Sequence, residues 1–270
     1  MATDAGNGGS AGYDCPMCTN YRPATREIAA QMFDFPAPAF DYPEEAYPGY
    51  VAPAVRRSAA GRLQGIRGVF GLIPYWAKDA SIGRRTYNAR SETVTERPAF
   101  RQAWQRGQRA LVPMERFYEP DWHSGRAVRW RIERTDGEPF AVAALWDRWA
   151  ARPGGEVIDS FTLLTINADG HPVMGRFHRP GDEKRSLVPL VPQAWSVWLD
   201  DDPEAALRLL LPMAPAEFTA SADPAPPPVA VTQARALRPH GGTTGAAMVP
   251  IPEQLSLAID TASGNDPGHA

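Results

Sequence analysis

Four short stretches of this 270-residue sequence hold side chains whose types and spacing could do chemistry. Cys15-Pro-Met-Cys18 sets two thiols three residues apart, which suits a redox pair or half of a zinc site. The histidines His123, His171, His178, His240 and His269 supply no second ligand pair at close spacing, and nothing strand-like precedes Cys15 as a thioredoxin-like unit requires. No metal is expected on these grounds. Met17-Cys18-Thr19-Asn20-Tyr21-Arg22 changes how Cys18 is read, because a Met followed by a small residue is the context in which an initiator Met is removed. An amino-terminal cysteine carries an amine titrating near neutrality beside its thiol. Such a residue can form a Schiff base with an aldehyde and then close a thiazolidine ring. A buried, inert cysteine is the alternative that position alone favours.

The third stretch is Tyr87-Asn88-Ala89-Arg90-Ser91-Glu92-Thr93, preceded by Tyr75-Trp76-Ala77-Lys78 and by Arg84-Arg85. Aromatic rings interleaved with cations suit single-stranded nucleic acid, since bases stack on rings and phosphates pair with guanidinium groups. The plain alternative is that Trp76 is core and Glu92 pairs with a neighbouring Arg. The fourth comprises Phe117-Tyr118-Glu119 and His178 within Arg176-Phe177-His178-Arg179-Pro180. An acid just beyond an apolar strand can have a raised pKa suited to proton transfer, although a lone Glu or His is commonly a structural hydrogen-bonding partner. No Gly-rich phosphate loop, Ser nucleophile elbow or zinc helix motif occurs.

These stretches must be held by a scaffold, and punctuation by Gly and Pro indicates which one. Strand-like runs fall at 69–73, 110–112, 128–132, 140–145, 161–166 and 187–191, while helical spacing appears at 26–35, 99–105, 193–199 and 203–211. Residues 35–53 are rich in Pro and Tyr and read as an irregular loop with extended pieces. Strands joined mainly by turns predict an α+β fold, a curved and mostly antiparallel, barrel-like sheet with peripheral helices. Residues 1–16 read as a disordered leader or a misassigned start, 17–220 as the catalytic domain and 221–270 as a Pro-rich disordered tail.

Composition narrows the function classes. No apolar run approaches the roughly 18 residues of a membrane span, and the first residues lack the features of a secretory signal, so a cytoplasmic protein is expected. Two cysteines three apart cannot make a disulfide framework. Residues 56–134 hold 17 Lys and Arg against 7 Asp and Glu, a local balance of +10 inside a chain of net charge -3. Such a basic middle suits a polyanion, although an arginine-rich solvated surface would give the same count.

The order Cys-Thr-Asn-Tyr-Arg, Phe-Gly-Leu-Ile-Pro-Tyr-Trp-Ala-Lys at 70–78, Asn-Ala-Arg-Ser-Glu-Thr at 88–93, Leu-Val-Pro-Met-Glu-Arg-Phe-Tyr-Glu at 111–119 and Leu-Leu-Thr-Ile-Asn-Ala at 163–168 with His178 resembles the SRAP family. These are the SOS response-associated peptidases that crosslink to abasic sites. The resemblance implies that Cys18, once amino-terminal, captures the ring-opened deoxyribose in single-stranded DNA as a thiazolidine within the DNA-damage response. It puts Asn88 on sugar and amine positioning, Glu119 on acid/base chemistry, His178 beside the sugar oxygens and Arg90 on a phosphate. Pro53, Tyr75 and Trp76 would lie where the protein wedges against the bases, with Arg22, Arg84 and Arg85 completing the DNA surface.

The activity implied is lyase-like Schiff-base chemistry with autopeptidase capacity, needing no cofactor and no metal, in a monomer that joins the nucleoid when bound to DNA. Two other classes fit the residues: a cysteine peptidase using Cys18, Glu119 and His178, and a noncatalytic single-stranded DNA binder. An amide nitrogen does not attack aldehydes, so the thiazolidine route requires loss of residues 1–17. Either translation starts at Met17, which the featureless leader favours, or a precursor is cut between Met17 and Cys18 by the protein's own site.

Overall fold

A computed structural model describes residues 20–223 except 153 and 201. The leader, the Cys15–Cys18 pair and residues 224–270 of the expected tail lie outside the described residues. The chain runs through β1 (Asn20–Pro23), α1 (Arg26–Phe33), β2 (Val51–Arg57), β3 (Leu63–Phe70), β4 (Asn88–Arg90), α2 (Arg101–Gln105) and β5 (Arg109–Asp121). It continues through β6 (Val128–Arg134), β7 (Phe140–Ala150), β8 (Val157–Asn167), β9 (Arg185–Leu187), β10 (Pro189–Leu190), α3 (Trp195–Asp200), α4 (Pro203–Arg208) and β11 (Phe218–Ala222). The last strand therefore extends two residues past the expected domain boundary at 220.

The pairings β7–β8, β8–β3, β3–β2, β2–β5 and β5–β7 return to their starting strand and so close a five-stranded barrel. All of these are antiparallel except β3–β8, and β4 adds a second parallel contact on β8. So small a barrel has little interior volume, and Ala52, Ala54, Ala110 and Ala144 line it beside Val112 and Val142. The space they leave is filled by Phe70 stacked on Phe161, ring centroids 5.5 Å apart. Gly68 permits this packing, since a Cβ there would stand 2.7 Å from a Phe161 ring carbon.

The opposite face of the same strands, with Val55, Leu111, Ala143 and Leu164, is covered by helices carrying Phe33, Trp104 and Trp198. Trp198 locks on by donating its indole N–H to the Ala110 carbonyl at 2.8 Å. Thr25 caps α1 by accepting from the Ile28 amide, and Asp34, in the left-handed region at φ 50°, ends it. Strand β5 does the work that matters for the site. It pairs with β7 as far as Met114, then passes an irregularity at Glu115 and pairs with β6 from Arg116 onward, so its second half leaves the barrel wall. Among the described residues no helix is long and apolar enough to cross a membrane.

Candidate active site

Side chains alternate along a strand, so Phe117, Glu119 and Asp121 share one face of β5, and Phe117 belongs to the barrel core. Glu119 is carried to the end of that core opposite Trp130 on β6, and it is only 2% exposed. The loop carrying His178 is fastened to the same stretch. Phe177 bridges to Asp121, the His178 amide donates to the Pro120 carbonyl at 3.1 Å, and Arg176 donates to the Asp121 carboxylate at 2.6 Å while stacking over Trp130.

These ties hold His178, 1% exposed, with Nε2 3.4 Å from a Glu119 carboxyl oxygen. Its backbone sits in the left-handed region at φ 65°, unusual for a residue with a side chain and compatible with a position fixed for function. Neither ring nitrogen makes a hydrogen bond among the described residues. Burial, aided by the nearby charges of Lys184 and Arg185, pushes the imidazole pKa down to about 4, so the ring is neutral at pH 7.

Asn88 opens β4, half-buried beside Leu163 of β8, directly after Tyr87, which packs on the barrel core against Phe70. Asn20, the first residue of β1, pairs with Tyr118 and donates to Glu45 at 3.1 Å. Glu45 also accepts from Arg129, whose guanidinium lies over the Tyr118 ring at 3.5 Å. The start of β1 is thus fixed next to Glu119. Cys18 lies outside the described residues.

The candidate DNA-contacting residues divide. Tyr75 and Trp76 are 42% and 45% exposed, so Trp76 is not core, whereas Pro53 is buried in β2 opposite Arg67. Arg84 and Arg85 are exposed on the 3-10 turn Ala80–Arg85. Arg22 is paired with Glu115 at 3.1 Å and Arg90 with Glu183 at 2.6 Å. Glu92 does pair with an arginine, Arg185, distant in sequence.

Sequence reasoning missed the Asp121–Arg176 tie that fixes the His178 loop; its one signal was an acid two residues after Glu119, on the same strand face. Among the described residues no cluster of His, Cys, Asp and Glu could hold a metal ion.

The family model described as SOS response associated peptidase (SRAP) matches residues 17–223. The chain belongs to the SRAP family. Among its relatives, the abasic site processing protein YoaM of Bacillus subtilis (strain 168) is 32% identical over 185 residues, covering 63% of this chain and 76% of that protein. The abasic site processing protein HMCES of Xenopus tropicalis is 26% identical over 119 residues, covering 37% of this chain and 36% of its own. A crystal structure of a Bordetella bronchiseptica protein superposes with a TM-score of 0.71 at 36% identity, covering 76% of this chain and 99% of that one. The SRAP barrel and its added strands are therefore shared with a solved structure.

Proposed function

We propose that this SRAP protein processes abasic sites in single-stranded DNA by forming a covalent thiazolidine crosslink through Cys18 as an amino-terminal residue, in the DNA-damage response. The observation that carries the reading is the buried Glu119–His178 pair, with a neutral imidazole 3.4 Å from a carboxyl group at the end of the barrel core. Asn20, two residues after Cys18, pairs with Tyr118 beside Glu119, which favours delivery of the cysteine to that pair. The family match beginning at residue 17 and relatives named for abasic site processing support the same view.

The chemistry balances with these groups alone. Glu119 takes the proton from the C1 hydroxyl of the closed sugar and returns one to the ring oxygen, opening it to the aldehyde. The α-amine of Cys18 then adds to C1, and its two protons pass by way of Glu119 to the aldehyde oxygen, which departs as one water and leaves an imine. The thiolate adds to the imine carbon and the thiol proton ends on nitrogen, closing the five-membered ring. His178 holds the sugar oxygens as a neutral donor, Asn88 orients the amine and sugar, and Arg90 meets a phosphate. The protein acts once per site, and Glu119 also serves in reversal by water.

Incubation with single-stranded DNA bearing an abasic site tests the reading. A crosslink that survives denaturation without borohydride and disappears in Cys18→Ala is expected. Cleavage of unrelated peptides in its place would favour the peptidase class, and salt-sensitive binding with no crosslink the noncatalytic binder. Mass spectrometry of protein from its own host should show Cys18 as the amino terminus. An intact Met1 on crosslink-competent protein would exclude the thiazolidine.

A further inference from the structure

The basic stretch 56–134 is not uniformly basic once folded. Arg57, Arg90, Arg116, Arg129 and Arg134 are each paired with a carboxylate, from Asp200, Glu183, Glu133, Glu45 and Asp136 respectively. Arg84, Arg85, Arg101 and Arg106 are exposed and meet no carboxylate among the described residues. Arg62, Arg67, Lys78, Arg97 and Arg126 are likewise exposed and meet no carboxylate among the described residues, so the unneutralised charge is spread along the stretch, with one pair of arginines on the 3-10 turn and another at the α2 corner.

Those segments flank one rigid platform. The loop carrying Tyr75 and Trp76 is pinned by three side chains from the barrel: Ser160 accepts from the Ile73 amide at 2.8 Å, Asp147 from the Tyr75 amide at 2.9 Å, and Trp149 donates to the Ala77 carbonyl at 2.7 Å. Its far end returns onto its start, where a Cβ on Gly71, at φ 121°, would lie 2.3 Å from the Gly83 carbonyl oxygen. Asp147 also accepts from Gln108 at 3.3 Å, which ties the corner holding Arg106 to the same loop. The Arg106 guanidinium lies over the Tyr75 ring, 4.3 Å from its centroid.

We propose that Arg106 and Tyr75 form a nucleotide clamp for the single strand flanking the abasic site, a contact separate from the Glu119–His178 pair. A guanidinium lying over a phenol ring spends none of its N–H groups on that contact, so they remain able to grip a phosphate in bidentate fashion. The exposed remainder of Tyr75 and Trp76 offers faces to unpaired bases, which a duplex would conceal. Stacking is sequence-tolerant, so the clamp holds any flanking sequence. The inference rests on the single-stranded DNA reading of the site.

The test uses the full chain and a single-stranded oligonucleotide carrying a tetrahydrofuran abasic analogue, which cannot open to an aldehyde and so reports binding without crosslinking. Arg106→Ala should weaken binding about fivefold and lower the slope of log K against log salt by about 0.7. Arg106→Lys should restore the slope but only part of the affinity, since it keeps the charge and loses the planar stack. Arg106→Gln should lose the slope as Ala does, and an unchanged melting temperature guards against a folding defect. Trimming the flanking nucleotides should erase the penalty of Arg106→Ala. Wild-type affinity and slope in Arg106→Ala overturn the clamp while leaving the site reading intact, and a penalty that persists on the shortest strand overturns the flanking assignment. Wild-type protein that fails to bind the strand at all overturns both.

Discussion

Two buried polar clusters of this fold, one around Arg185 on β9 and one joining Glu119 of β5 to the His178 loop, are built on different rules. Arg185, whose side chain is 2% exposed, donates through both terminal nitrogens to Glu92, Glu183 and the Thr165 carbonyl at 2.7–2.9 Å. His178, equally buried, has no hydrogen bond at either ring nitrogen among the described residues, with Glu119 at 3.4 Å. Leaving a buried polar atom unsatisfied costs about 1–3 kcal/mol, which selection removes unless the atom has a partner to receive. His171, on the same loop, is the control. Its Nδ1 accepts from the Val173 and Met174 amides and its Nε2 therefore donates to the Met213 carbonyl at 2.8 Å, so it fixes a turn and has nothing left for substrate. The difference separates buried charge that holds the fold from buried polarity that awaits a ligand.

The sharpest way to break that contrast is to delete the cluster around Arg185, whose terminal nitrogens are bonded although its Nε has no hydrogen-bond partner among the described residues. Arg185→Ala should cost about 3 kcal/mol in urea unfolding, at the lower end of what breaking a buried ion pair costs, because Glu92 and Glu183 keep some solvent. A loss under 1 kcal/mol would mean that the network contributes little to the fold. Next comes pH. The unfolded His178 takes a proton below about pH 6.5, while the folded one stays neutral down to about 4. Its contribution is therefore complete above pH 6.5 and is lost as pH falls toward 4, by up to about 3 kcal/mol. His178→Asn, which tolerates the left-handed backbone, should flatten that part of the stability profile relative to wild type. Parallel profiles would show that the folded imidazole binds protons as readily as the unfolded one and is not held neutral by burial.

Sequence periodicity finds β5, β7 and β8 of the barrel and the four helices, because these strands bury both faces and read as apolar runs. It shortens β5, since the half beyond Glu115 is polar, and it misses β1, β2, β4 and β11. Asn20–Pro23 and Asn88–Arg90 are too short to show a period, and each exists only because β5 or β8 offers it an edge. Val51–Arg57 contains a proline, and its first three residues fall within the loop read at 35–53, while Phe218–Ala222 is mostly small residues next to a Pro-rich segment. The run expected at 69–73 instead forms the end of Leu63–Phe70, because Gly71 at φ 121° breaks the strand. At the site, Glu119 and His178 were legible as residue types, but their contact was not. It depends on the bridge between Phe177 and Asp121, a long-range pairing with no local signature.

Substitution within the buried Glu119–His178 pair should then affect chemistry more than fold or binding. Glu119→Gln and His178→Ala are expected to change the rate of crosslinking or of its reversal by more than about tenfold, the scale of general acid–base catalysis, while affinity for the tetrahydrofuran strand moves far less. If Glu119→Gln leaves every rate within about twofold, proton transfer is not its role, and the contrast with the Arg185 cluster loses its functional side.

The smallest effect lies where the Arg185 network meets the candidate DNA surface. Glu183 gives one carboxyl oxygen to Arg185 at 2.7 Å and the other to Arg90 at 2.6 Å, so the structural network restrains a residue expected to meet a phosphate. Arg90 must leave Glu183 before it can pair with DNA, and the carboxylate, held by Arg185, also repels the incoming phosphate. Arg90→Ala should therefore weaken binding a few-fold and lower the salt slope by about one ion. Glu183→Gln should do the opposite, strengthening binding about two- to threefold at low salt, with the gain fading as salt screens the repulsion. Its cost in stability should stay below about 1 kcal/mol, because the partly exposed Arg90 pair contributes little and the remaining oxygen can still accept from Arg185. Titrations of both variants across a salt series decide the matter. A salt slope unchanged by Arg90→Ala removes the phosphate contact, whereas a normal loss in Arg90→Ala with no gain in Glu183→Gln means that DNA reaches Arg90 without displacing the ion pair.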